Sequence, residues 1–292
     1  MWLIVSLNLF AQQSSPAPDS AGPVSPAPPP VTNKITYGSA QVDGPYVALT
    51  FDDGPSAKFT PELLKILADR HVKATFFLIG KNVQAHPEIV KEEVAEGHDV
   101  ESHSWDHPNL GILPDDKVRS ELQLTDDAIF NAAGVHPKML RPPYGSLAHG
   151  QRIWINKEFG YKIIFWSVDP LDWKNPGAPI VASRIISEAK PGDIILSHDI
   201  HAGTIQAMPE VIDTLRAKGF KFVTVPELLA MNRMPVPKPP KPVVAFKPQK
   251  RFALSRRRTM FIVTFFLLGA IVLATYGLKA EHSSQMAEHK DL

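Results

Sequence analysis

The 292-residue chain contains no cysteine. Disulfides, thiolate metal sites and cysteine nucleophiles are excluded together, so any metal centre must be built from His, Asp and Glu. An excess of charge is missing too. The 31 Lys and Arg residues offset 30 Asp and Glu residues, leaving a formal net charge of +1, and nothing global points to a nucleic-acid partner. There is no internal repeat, and no protein partner is identifiable. Proline is the exception: 28 residues, with clusters in 16–30 and 235–248. Segments 12–35 (Pro, Ser, Ala) and 233–258 (Pro, Lys, Arg) cannot bury a core and read as disordered, semi-rigid spacers.

Charge is also absent from 259–278, an apolar run from Thr259 to Leu278. About twenty such residues span about 30 Å as a helix, the thickness of a bilayer core, so the run reads as a transmembrane helix followed by a tail, 279–292. Residues 1–11 are apolar but lack the basic start of a signal peptide; they read as a signal segment whose true start lies upstream. Arg256, Arg257 and Arg258 before the membrane run would keep the preceding domain in the cytoplasm, whereas a signal segment would place it outside. The domain is expected outside, on grounds of substrate.

Between 36 and 232 apolar strand-like runs alternate with helical patterns. Strands are expected at 46–51, 73–79, 98–102, 138–141, 161–167, 193–198 and 220–225. Helices are expected at 60–70, 83–96, 115–133, 149–159, 178–189, 205–218 and 226–231, the first capped by Thr60 with Pro61 in its first turn. Val, Ile and Phe-rich strands between amphipathic helices indicate an α/β fold with a parallel sheet buried on both faces. Seven such pairs suggest a distorted (β/α) barrel with about seven strands.

Every polar motif then falls at the C-terminal end of a strand, where such folds keep their chemistry. Thr50-Phe51-Asp52-Asp53-Gly54-Pro55 ends the first strand, and His103-Ser104-Trp105-Asp106-His107 follows the third. Arg141-Pro142-Pro143-Tyr144, Asp169-Pro170-Leu171-Asp172-Trp173 and Leu196-Ser197-His198 follow the next three. Two histidines four apart plus an aspartate make three ligands, the usual number for catalytic zinc with an open position; Co²⁺, Mn²⁺, Ni²⁺ or Fe²⁺ also suit these ligand types. Paired aspartates allow one to bind metal while the other takes a proton from water. His198 can protonate a leaving group. Arg141, extended before Pro142, can hold a carboxylate, with Asp172 the expected partner. Tyr144, Trp166 and Trp173 offer flat faces for sugar rings. His201 lies close enough in sequence to His198 to reach the site, while His71, His86, His98, His136 and His149 are expected at helix ends and loops.

Over about 44–230 the chain resembles the polysaccharide deacetylases of carbohydrate esterase family four, the NodB-type domain, with all five family motifs in order. The resemblance implies a metal-dependent hydrolase that removes N-acetyl groups from N-acetylglucosamine units of peptidoglycan or a chitin-like polymer. By that resemblance Asp52 is the base, Asp53, His103 and His107 bind the metal, and His198 is the acid. Arg141 and Asp172 form a pair that tunes Asp52. Tyr144 supplies an oxyanion N–H, and Leu196 and Trp173 line the pocket for the acetyl methyl and the sugar. O-acetyl ester or non-sugar amide hydrolysis on the same fold, a carbohydrate-binding domain without catalysis, and a membrane-anchored scaffold are the alternatives.

Overall fold

The computed structural model describes residues 34–233. The signal segment expected at 1–11, most of both spacers and the membrane helix expected at 259–278 lie outside the described residues. Among the described residues no helix is long and apolar enough to cross a membrane.

Eight strands form one parallel sheet: β1 (Thr36–Tyr37), β2 (Tyr46–Asp52), β3 (Thr75–Leu78), β4 (Asp99–Ser102), β5 (Met139–Leu140), β6 (Lys162–Ile164), β7 (Ile194–Ile195) and β8 (Lys221–Phe222). Their order is β1-β6-β5-β4-β3-β2-β7, with β8 pairing the start of β2. The ring closes without a regular ladder. Val168, just past β6, bridges Ile195 of β7, and the Ala40 N–H donates to the Gly192 carbonyl. Gly192, at φ +90°, must be glycine: a Cβ there would overlap the Ala40 carbonyl oxygen. The result is the expected barrel, distorted at this seam. The eighth strand, β1, has only two residues, too few for periodicity to register.

Alternation along β2 decides what faces where. Val47, Leu49 and Phe51 pack outward with Leu63, Leu64 and Leu67 of α1 (Thr60–Asp69) and with Phe76 and Leu78 of β3. Ala48 faces inward with Phe77, Met139, Ile164 and Ile194, above Val225 and Leu228 of the last helix. Burying each such large apolar side chain contributes about 1.5–3 kcal/mol. Thr50 and Asp52 continue the inward row to the top of the barrel, so the strand that builds the core also delivers a carboxylate to the rim.

The remaining helices are α2 (Gly80–Ala85), α3 (Pro87–Ala95), α4 (Asp115–Ala133), α5 (His149–Phe159), α6 (Ala178–Glu188), α7 (Ala202–Ala217) and α8 (Val225–Ala230). The helix expected over 83–96 is two helices. Pro87 bars the preceding residue from helical geometry, and His86 accordingly sits at φ −138°, ψ 55°. Thr60 does not cap α1. Phe59 occupies that position with no side-chain cap, and the Thr60 hydroxyl donates to Asp199. Gly97 and Gly219, at φ +81° and +90°, end α3 and α7 as expected.

Candidate active site

Asp53 leaves β2 in the left-handed region, φ 73°, which swings its carboxylate away from that of Asp52. The Asn82 amide donates to the Asp53 carbonyl at 2.8 Å and holds this turn. His103 and His107 sit on the loop after β4, with Ser104 and His107 also at positive φ. The two rings converge, centroids 4.9 Å apart, through loop geometry rather than a helical turn.

Asp53 Oδ1 lies 3.4 Å from His103 Nε2 and 3.5 Å from His107 Nε2. Ligand atoms of the three residues all fall within 4.8 Å of one another. His103 Nδ1 is 2.6 Å from the Arg141 carbonyl. A carbonyl only accepts, so Nδ1 donates there, and in the neutral ring Nε2 then offers its lone pair toward Asp53. Asp53 Oδ1 is buried with no hydrogen-bond partner among the described residues. Burial would raise Asp53, but His103, His198 and His107 outweigh it and bring the carboxyl down to about 2. Burial, aided by His103, lowers His107. A low-pKa carboxylate, two imidazole nitrogens turned toward it and an orphaned buried oxygen suit a divalent metal, and the site can hold one.

Two further carboxylates flank this triad, each locked to a different base. Asp52 Oδ1 accepts from Arg141 Nη1 at 2.6 Å, and the same nitrogen donates to Thr50 Oγ1 at 2.7 Å. Arg141 is fully buried and lies 4.1 Å from the Phe77 ring centroid. Burial lowers its pKa, opposed by Asp52. Asp172 Oδ1 faces His198 Nδ1 at 2.8 Å. Its Oδ2 accepts from the His198 N–H at 2.8 Å and from Thr204 Oγ1 at 2.6 Å. Burial opposes ionisation of Asp172, but His198 and Thr204 prevail and its pKa is lowered. Burial would also lower His198, yet Asp172, with Asp52 and Asp53, raises it to about 9.

The expected Arg141–Asp172 pair is therefore corrected. Arg141 reaches up inside the barrel to Asp52, and Asp172, on the opposite bank, grips His198. Sequence spacing supplies no direction for either side chain.

Asp52, Asp53, His103, His107 and His198 line one cleft of about 430 Å³, within the range of small-ligand sites. Tyr144, Trp166, Trp173 and Leu196 complete much of its wall. Trp173 is 47% and Tyr144 69% exposed, so neither belongs to the core. The Tyr144 ring packs edge-on against His107 at 4.6 Å. His201 stands beside His198, ring centroids 6.0 Å apart, but does not line the cleft. Thr50 and Thr204 were missed as site residues. Thr50 was detectable, two residues before Asp52 on the same strand face; nothing marks Thr204. Asp169 also lines the cleft, in a motif singled out but given no role.

A family profile described as polysaccharide deacetylase matches residues 39–164. A peptidoglycan-N-acetylglucosamine deacetylase of Bacillus cereus is 39% identical over 198 residues, covering 65% of this chain and 72% of the relative. The peptidoglycan-N-acetylglucosamine deacetylase PgdA of Listeria monocytogenes is 43% identical over 182 residues, 62% of this chain; the match spans only 38% of that longer protein. The crystal structure of the Bc1960 peptidoglycan N-acetylglucosamine deacetylase superposes with a TM-score of 0.66 at 36% identity, covering 70% of this chain and 97% of that one. With more than two thirds of a relative covered at such identity, and the fold shared, the chain belongs to the polysaccharide deacetylase family and is a hydrolase of N-acetyl amide bonds.

Proposed function

We propose that this cleft removes acetyl groups from N-acetylglucosamine units of a cell-envelope polysaccharide, peptidoglycan first among them, with a divalent metal, zinc foremost, held by Asp53, His103 and His107. The observation that carries the reading is the separation of roles across the cleft. A metal-type triad stands between an Arg141-clamped carboxylate and an Asp172-clamped histidine. When bound, the ion supplies Lewis acidity, making water at the site more acidic and stabilising negative charge. Asp52 takes the proton from the attacking water. Tyr144, which lines the cleft, offers its backbone N–H to the developing oxyanion. His198 donates its proton to the nitrogen as the C–N bond breaks, releasing acetate and a free amine. Leu196 and Trp173 give the acetyl methyl and the sugar ring an apolar wall. Peptidoglycan lies outside the cytoplasm, so the domain belongs on that side, tethered by 259–278 through the spacer.

The test is acetate release by the full chain from peptidoglycan and from N-acetylglucosamine oligomers, metal-stripped and then with zinc restored. Zinc-dependent release is expected, with peptidoglycan the better substrate. No release from either when zinc is bound overturns the reading, and release only from O-acetylated polymers replaces it with esterase activity.

The Asp172 bond has a separate consequence. A histidine raised to about 9 is protonated at neutral pH, as a general acid must be. Asp172→Asn removes the opposing charge, so less of the imidazolium survives at neutral pH. The alkaline limb of the kcat profile should move to lower pH by about one unit or more. Coincident profiles would separate Asp172 from the acid's ionisation.

A further inference from the structure

Asp199 follows His198 but points the other way. It is fully buried and does not line the cleft. Oδ2 accepts from the Thr60 hydroxyl, whose oxygen in turn accepts from the Ser56 N–H at 2.7 Å. Oδ1 has no partner among the described residues. The turn carrying the metal-type aspartate lies directly on this carboxyl group. A Cβ at Gly54 would stand 2.5 Å from Oδ2 and 2.6 Å from Oδ1, so any side chain there would have to displace the carboxyl group. On its other side the same turn is pinned by α2. The Ile79 N–H donates to the Gly54 carbonyl at 3.0 Å, and Asn82 holds the Asp53 carbonyl. Between these two supports Asp53 keeps a conformation that non-glycine residues seldom adopt.

Nothing in the proposed chemistry uses Asp199, and burying a carboxyl group without full hydrogen bonding is costly. Removing it would free Thr60, loosen Ser56 and leave a void under Gly54, with the left-handed turn supported from one side only. We propose that Asp199 is a positioning residue for Asp53: through Thr60, Ser56 and its contact with Gly54 it fixes the turn that presents the Asp53 carboxylate to His103 and His107. The inference rests on the reading of Asp53 as a metal ligand. Groups that orient ligands in this indirect way are typically worth 10- to 100-fold in metal affinity or activity.

The experiment titrates the metal-stripped full chain with zinc against a chromogenic chelator and measures kcat and KM for acetate release alongside. Thr60→Val and Asp199→Ala should each weaken zinc binding about tenfold or more and lower kcat while leaving KM for the oligosaccharide near the parent value. Asp199→Asn keeps the acceptor for Thr60 at almost the same volume and should recover most of the affinity that Asp199→Ala loses. Folded Thr60→Val protein with zinc affinity within about twofold of the parent overturns the proposal, as does Asp199→Asn binding no better than Asp199→Ala. Thr60→Val, which deletes one hydroxyl at nearly constant volume, decides the matter if Asp199→Ala does not fold. A parent that binds zinc yet releases no acetate refutes the deacetylase reading, and the zinc titration still judges Asp199.

Discussion

Asp52→Asn should lower kcat by about 10²- to 10⁴-fold while zinc affinity stays within a few-fold of the parent. Asp52 is 2% exposed, at the inward-facing end of β2. Asparagine preserves its volume and keeps an oxygen for Arg141 Nη1, so the site's shape survives. What it loses is the capacity to take a proton from water. The metal-type triad is drawn from Asp53, His103 and His107. Asp52 Oδ2 stands farther from His103 Nε2, at 3.8 Å, than Asp53 Oδ1 does. Loss of the rate with retention of the metal therefore separates a base from a ligand. The measurement is kcat for acetate release together with zinc titration, on protein shown to be folded by its melting transition. A rate within tenfold of the parent would remove Asp52 from the chemistry, and a collapse of zinc affinity would make it a ligand.

The same two residues show how far sequence carries. Paired aspartates at a strand end, two histidines four apart and a histidine closing a later strand were enough to gather one rim, because in a parallel α/β fold all strand ends point the same way. Direction along a strand also survives in sequence: alternation puts Thr50 and Asp52 on one face of β2. Direction beyond a strand does not. The left-handed φ angles of Asp53, His107 and Tyr144 turn those side chains by amounts no spacing encodes. Arg141 and Asp172 face different partners because one is buried inside the barrel and the other sits on its opposite bank. Short pieces were lost for a different reason. The Pro87 signal inside 83–96 was present but outweighed by a continuous amphipathic pattern. Asp199 gives no signal at all, since its role depends on Gly54 passing over it in space.

Arg141→Met should cost about 3–5 kcal/mol of folding stability, and adding Asp52→Asn should recover about half of that loss without recovering activity. Arg141 is the largest fully buried side chain in the described fold. Its guanidinium donates to Asp52, to Thr50 and, at 3.3 Å, to the Phe165 carbonyl, and it stacks over Phe77. Methionine can pack against Phe77 and Trp166 where the arginine did, and Thr50 retains its own bond to the Ile195 carbonyl at 2.6 Å. Packing and the threonine are thus spared; the large cost is the ionised Asp52 left buried with no cation. Removing one partner of a buried pair is far worse than removing both. In the double variant no charge remains at that position, and the unpaired amide costs only about 1–3 kcal/mol. Chemical denaturation of the parent, both single variants and the double variant gives the coupling directly. Additive losses would mean that Arg141 stabilises the barrel through packing alone and that its bond to Asp52 is energetically idle. Strong coupling, with the double variant inactive, would make the ion pair a device for keeping a charged base buried at the rim, held there for catalysis at a cost to stability that two apolar residues would avoid.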